Sequence, residues 1–201
     1  MEINNFKDLC LNDIQVLSFK RFRDDRGYFT EHFRQSQIQK SINLSVFQTN
    51  ESYSKANVIR GLHFQWNPFM GKLIRTIHGH MVDLVLDIRK NSSTLGKIIG
   101  YDMPSNPDQD YQEWIWVPPG FAHGNFFLEN TTIEYFCSGE YSKGCEAGIC
   151  PFDKNIDWSL CSKDIQDQFN ILKDKAIISI KDKNGLTLDG WLSTQESNNF
   201  I

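Results

Sequence analysis

Short apolar stretches with a period of two, cut every few residues by turn signals, run through this sequence as far as residue 157. Alternation puts every second side chain on one face of an extended strand, so such a chain buries its apolar residues between sheets rather than between helices. Val82, Leu84, Leu86 and Ile88 alternate with Asp83, Val85, Asp87 and Arg89. Glu113-Trp114-Ile115-Trp116-Val117 alternates again before Pro118-Pro119-Gly120 forces a turn. Residues 17–33 read as two short strands about the turn Asp24-Asp25-Arg26-Gly27, and residues 72–76, 97–103 and 130–141 as further strands. Ile77-His78-Gly79-His80 reads as a turn, 104–109 as a loop, and 36–42 as a short helix or loop. The pattern predicts an all-β barrel or jelly roll.

Past residue 157 the character changes. Residues 161–172 can form one helix, 176–180 a short apolar strand ending at the turn signal Lys181-Asp182-Lys183-Asn184-Gly185, and 193–201 read as a loose polar tail. With 201 residues, 40% hydrophobic and 13% aromatic, the chain can fill one core. We expect a single domain over 1–201, with its core over about 17–160 and a C-terminal helical and polar extension over about 161–201.

A net charge of −4 gives no electrostatic footprint for nucleic acid or an anionic membrane surface, so an anionic ligand needs a local basic pocket. The start, Met1-Glu2-Ile3-Asn4-Asn5-Phe6, has no basic segment followed by an apolar run, and no stretch approaches the roughly 18 apolar residues of a membrane span. The expectation is a cytoplasmic protein. Its five cysteines lack a Cys-x-x-Cys pair, which argues for reduced thiols and against a disulfide framework or a zinc knuckle.

Polar residues interrupt the strands in a suggestive way. Leu44, Val46, Gln48 and Asn50 share one face, so a buried face continues as a polar one, as where a barrel opens into a pocket. Val58-Ile59-Arg60-Gly61-Leu62-His63-Phe64-Gln65 and Gly71-Lys72-Leu73-Ile74-Arg75 place Arg60, His63 and Lys72 in segments that otherwise read as buried strand. A charge there is costly without a task or a partner. Arg26, Arg60, Lys72 and Arg75 suit phosphate or an oxyanion; the plainer reading is strand-end residues with their heads in water. His63 is either a proton acceptor, with an unperturbed pKa of about 6.5, or a hydrogen-bonded core histidine. His63, His78, His80 and His123 raise the separate possibility of a metal site. No Gly-x-Ser-x-Gly elbow, Gly-x-Gly-x-x-Gly fingerprint or P-loop occurs, which argues against serine hydrolysis, nicotinamide chemistry and nucleotide hydrolysis.

Together, Asp24-Asp25-Arg26-Gly27-Tyr28-Phe29-Thr30-Glu31, Gln48-Thr49-Asn50, Arg60-Gly61-Leu62-His63-Phe64-Gln65, Gly71-Lys72-Leu73, the run 83–89 and Pro119-Gly120-Phe121-Ala122-His123-Gly124 resemble the dTDP-4-dehydrorhamnose 3,5-epimerase family of nucleotide-sugar isomerases. The matching segments keep the family's order and cover most of residues 17–160. The resemblance implies a jelly-roll (cupin-like) subunit with a short C-terminal helical segment, a homodimer with exchanged N-terminal strands, and no metal or organic cofactor. It also implies epimerisation at C3, C5 or both of a nucleotide-diphosphate-linked 4-keto-6-deoxy sugar. His63 would be the base, Lys72 the stabiliser of the C4 oxyanion, and Tyr135 the opposing acid. The carboxylate behind the histidine would be Asp182, in Ser179-Ile180-Lys181-Asp182, rather than Asp164 in Ser162-Lys163-Asp164. Arg26, Glu31, Gln48, Asn50, Arg60 and His123 match substrate-binding positions, with Arg26 and Glu31 acting on the neighbouring subunit's ligand. Two departures stand out: Asn125 replaces the aromatic residue usual after His-Gly, and Phe136 and Glu140 replace the lysine and one tyrosine of the usual Tyr-Lys-x-x-x-Tyr-Tyr run. Two other functional classes remain: a metal-dependent cupin oxygenase using those histidines, and a cupin that binds sugar nucleotides without turnover.

Overall fold

The computed structural model describes residues 3–11 and 13–201, with side chains from Leu9 onward. Its strands are β1 (Ile3–Asp8), β2 (Gln15–Lys20), β3 (Phe22–Asp24), β4 (Gly27–Phe29), β5 (Gln48–Ser54), β6 (Val58–Gln65), β7 (Lys72–His78) and β8 (His80–Asp87). They continue with β9 (Ile98–Pro104), β10 (Tyr111–Val117), β11 (Phe121–Phe127), β12 (Thr131–Cys137), β13 (Glu146–Gly148) and β14 (Ile177–Ile178). Helices are short: α1 (Gln35–Ile38), α2 (Lys163–Lys173), α3 (Ile180–Lys183) and α4 (Leu188–Leu192).

Two sheets face each other as a jelly roll of the cupin-like kind. One has the order β1-β2-β10-β7-β12-β5, the other β13-β6-β11-β8-β9 with β14 added parallel to β6. Between them lies an apolar core containing Ile74, Met81, Val85, Ile99, Ile115, Phe121, Phe127 and Ile133. Each sheet is covered on its outer face as well. Leu17, Phe19, Leu73, Trp114 and Trp116 pack under Ile38, Ile42 and Leu44, while Val82, Leu84, Leu86 and Phe126 pack under Ile165, Phe169, Leu172 and Trp191.

This layering explains where pattern and structure part. The row Val82, Leu84 and Leu86 faces outward onto the C-terminal helices, and the alternate row turns Asp83 and Val85 toward the inter-sheet space. β11 is buried at all seven positions, so it carries no polar-apolar period to mark it as a strand. Residues 130–141 form strand only through Cys137, and residues 176–180 only over Ile177–Ile178, after which Ser179 caps a single helical turn. The tail is not loose: Phe200 is 5% exposed and its ring lies 6.0 Å from Phe64, while Ser197 is fully buried. Its few apolar residues find an aromatic pocket made by Phe64, Trp191 and Phe69.

Glycines fix two approaches. Gly79, at φ +87°, turns the chain from β7 in one sheet to β8 in the other. Gly61, at φ +112°, lets β6 close on β11, since a Cβ there would sit 2.5 Å from the Gly124 Cα. The β6–β11 register shifts beside it, leaving His63 opposite His123 and Arg60 opposite Asn125.

Candidate active site

Toward one end of the sandwich the inward rows turn polar. Gln48, Asn50 and Ser52 from β5, Arg60 and His63 from β6, Lys72 from the start of β7, His123 and Asn125 from β11, and Tyr135 from β12 line a cleft of two lobes. The lobes measure about 340 and 200 Å³, and His63, Lys72 and Tyr135 line both. A larger cavity of about 690 Å³ lies beside β9 and β10, but it holds no histidine and its Arg21 is engaged by Asn106, Gln109 and Gln112. The acid–base groups lie in the smaller cleft.

Parallel pairing of Ile177 and Ile178 with Val58 and Ile59 carries the following residues alongside Gly61 and His63. Ser179 Oγ accepts from the Asp182 backbone N–H at 3.0 Å, capping α3 and delivering its carboxylate to the histidine. His63 Nε2 lies 2.7 Å from Asp182 Oδ1, and the Gly61 N–H donates to Asp182 Oδ2 at 3.4 Å. Burial would raise the Asp182 pKa, yet the His63 hydrogen bond and charge, with help from Gly61 and Ser179, outweigh it and hold it below the ordinary value. An imidazole so held has one nitrogen fixed by a carboxylate and the other left for a substrate proton. Asp164, the other candidate, sits exposed in the first turn of α2.

His123 Nε2 lies 2.6 Å from Asp83 Oδ2, both side chains being buried. Burial pushes the Asp83 pKa up and the His123 pKa down, while their mutual hydrogen bond and charge act against both shifts. Lys72 makes no hydrogen bond or ion pair among the described residues; burial lowers its pKa, against the raising effects of Cys137, Asp83 and Glu146. Burial raises the Tyr135 pKa, which keeps its phenol protonated at neutral pH. Arg60 is aimed by Ser54 Oγ at 2.8 Å and the Tyr53 carbonyl at 3.2 Å, and Gln48 Nε2 donates to Asn50 Oδ1 at 3.0 Å. At the mouth, Lys181 Nζ and Glu146 Oε1 pair at 2.6 Å.

Of the residues singled out from sequence, His63, Lys72, Tyr135, Asp182, Gln48, Asn50, Arg60 and His123 converge on this cleft. Arg26 and Glu31 do not: Arg26 stands in the exposed turn of the β3–β4 hairpin paired with Asp24, and Glu31 pairs with Arg34. Nor do the four histidines assemble. His78 ends the strand that Lys72 begins, roughly 20 Å away by strand rise, and His80 pairs with Asp102. Among the described residues no three His, Cys, Asp or Glu side chains are grouped to hold a metal. Sequence reasoning passed over Asp83, whose signal was an acid within an apolar alternating run, and the Glu146–Lys181 pair, which only tertiary contact reveals.

The comparisons agree with this geometry. The family model for dTDP-4-dehydrorhamnose 3,5-epimerase matches residues 8–190. A dTDP-4-dehydrorhamnose 3,5-epimerase from Escherichia coli is 35% identical over 185 residues, covering 89% of this chain and 91% of that one. The enzyme of the same name from Methanothermobacter thermautotrophicus is 38% identical over 184 residues, with the same coverage of 89% and 91%. A crystal structure of dTDP-6-deoxy-D-glucose-3,5-epimerase from Legionella pneumophila, in complex with dTDP-4-keto-L-rhamnose, superposes with a TM-score of 0.80 at 27% identity, covering 96% of both chains. Sequence match, shared jelly roll and polar cleft point the same way, and the chain belongs to the dTDP-4-dehydrorhamnose 3,5-epimerase family.

Proposed function

We propose that this protein is an epimerase of deoxysugar biosynthesis, inverting C3, C5 or both of a dTDP-linked 4-keto-6-deoxy sugar. The observation that carries the reading is the convergence of the His63–Asp182 pair, the Lys72 amine, unpaired among the described residues, and the Tyr135 phenol on one cleft. Hydrogens on the carbons beside a ketone are acidic because the carbanion left behind is delocalised onto oxygen. His63 takes such a proton, the C–H electron pair becomes the C3–C4 or C4–C5 enolate bond, and charge develops on the C4 oxygen. Lys72 meets that charge, and a proton from Tyr135 on the opposite face then re-forms the C–H bond with inverted configuration. Asp182 holds the His63 ring and favours the imidazolium. Nothing is oxidised or reduced; each inversion leaves His63 protonated and Tyr135 deprotonated, and proton exchange with solvent resets the two, so the reaction balances without a redox cofactor.

Arg60, Gln48, Asn50 and His123 bind the diphosphate and sugar within the same chain's cleft, with Arg60 suited to two phosphate oxygens at once. Arg26 and Glu31 serve the cleft of a second copy in a homodimer. β1 pairs with β2 of its own chain, and Phe22, Tyr28 and Phe29 of the β3–β4 hairpin are 44%, 44% and 68% exposed, which supports a partner surface over this N-terminal region. Among the described residues no helix is long and apolar enough to cross a membrane, and a nucleotide-sugar substrate supports a cytoplasmic enzyme.

The test is incubation with dTDP-linked 4-keto-6-deoxy sugars in deuterated water, followed by NMR. Deuterium is expected at C3, C5 or both at catalytic rates. No incorporation into any 4-keto-sugar nucleotide would sink the proposal.

A further inference from the structure

Asn125 occupies the position after His-Gly where an aromatic residue is usual in the family, and its surroundings differ from those of an ordinary core residue. It lies on the inner face of β11, two residues from His123, opposite Arg60 on β6 and Asp83 on β8. The other inward residues of that strand, Phe121 and Phe127, are in the apolar core. Asn125 is 4% exposed and lines the same lobe as His63, Lys72, Arg60 and Tyr135. Its Oδ1 is buried without a hydrogen-bond partner, and so is the Oδ1 of the neighbouring Asp83. An orphan amide on a nearly dry wall is destabilising unless something else completes it. Turning the amide over would let its nitrogen face Asp83 across the strand pair and would put its carbonyl at the position that is not buried. In either orientation one atom of the amide group is not buried and has no partner in the chain, so it is left for a ligand in the cleft.

On the reading that the cleft holds a 4-keto-6-deoxy sugar, the missing partner has a clear chemistry. The C4 oxygen belongs to Lys72 and the C6 methyl is apolar, which leaves the ring hydroxyls at C2 and C3. A hydroxyl both donates and accepts, so it completes the amide whichever way the amide stands. An aromatic residue at this place would offer the sugar a face and no such bond. We propose that Asn125 is a specificity-determining residue whose amide hydrogen-bonds the C2 or C3 hydroxyl, so that the enzyme selects sugars retaining that hydroxyl over their deoxy counterparts.

The experiment compares kcat/KM for deuterium wash-in, at whichever of C3 and C5 the parent sugar exchanges, for three dTDP-linked substrates: the parent 4-keto-6-deoxyhexose and its 2-deoxy and 3-deoxy counterparts. Wild type is expected to favour the parent over one deoxy counterpart by about ten- to hundredfold. Asn125→Leu, a near isostere, is expected to lose a similar factor on the parent and to change less than about threefold on that counterpart. Equal losses on all three substrates would make Asn125 merely structural and overturn the proposal. So would a wild-type enzyme that turns over both deoxy sugars as well as the parent, a result that stands even if the leucine variant fails to fold. Absence of exchange by wild type on every substrate would instead defeat the epimerase reading itself.

Discussion

Replacing His63 with asparagine is expected to lower kcat for hydrogen exchange by about 10³–10⁴-fold, with the dissociation constant for the nucleotide sugar changed by less than about threefold. Asparagine keeps the approximate size and can still bond Asp182, but it cannot take a proton from carbon. Removing a general base typically costs 10²–10⁴-fold, and the upper part of that range applies because no other neutral base stands in the same place. His123, directly opposite, is committed to Asp83. Asp182→Asn should fall short of this loss, since the histidine survives but its tautomer is no longer held by a charge. Rates from NMR wash-in with affinities from titration calorimetry check both; a His63→Asn enzyme within tenfold of wild type contradicts the assignment.

Lys72→Met is expected to cost about 10²–10³-fold in kcat, with a smaller effect on KM, because the enolate oxygen carries full charge only as the C–H bond breaks. Lys72 makes no hydrogen bond or ion pair among the described residues, and in the proposed mechanism it meets a charge that the reaction supplies. Arginine is not an adequate replacement: its planar fork is bulkier than a compact ammonium and needs its own hydrogen-bond acceptors. Burial lowers the Lys72 pKa from 10.5, so activity that depends on the ammonium should decline on the alkaline side at a lower pH than for a free lysine. That alkaline limb should be absent from the residual activity of Lys72→Met. Equal kcat for the two enzymes would remove Lys72 from the mechanism.

Much of this was written in the sequence, for physical reasons that differ from element to element. Gln48 and Asn50 do line the cleft, but not as a continuation of the row Leu44 and Val46: those two precede β5 and pack on the outer face of the sheet, so the alternation pointed to the right residues through a row that the fold does not keep. Arg60, His63 and Lys72 stood out because charge inside strand-like sequence is costly. What was not legible depended on layers the pattern does not encode. A strand covered on both faces loses its period, which hid β11; cover from the C-terminal helices also makes the outward row of β8 the more apolar one. Asp182 reaches His63 only because two residues of β14 pair with β6, far too short a signal to find by periodicity. The tail read as polar because a handful of well-placed aromatic contacts, Phe200 above all, suffices to dock it. Arg26 and Glu31 match a motif but stand away from the cleft of their own chain, in local ion pairs that the motif does not reveal.

The central claim is that a proton leaves one face of the sugar and another arrives on the opposite face. Deuterium wash-in and inversion at the same carbon, followed in one NMR time course for wild type and Tyr135→Phe, tests it most directly. The account predicts that every wild-type inversion places deuterium at the inverted carbon. It also predicts that Tyr135→Phe, keeping its base but lacking the opposing acid, goes on exchanging hydrogen with retention while inversion falls by at least about a hundredfold. Inversion without deuterium in wild type, or undiminished inversion in Tyr135→Phe, would contradict it.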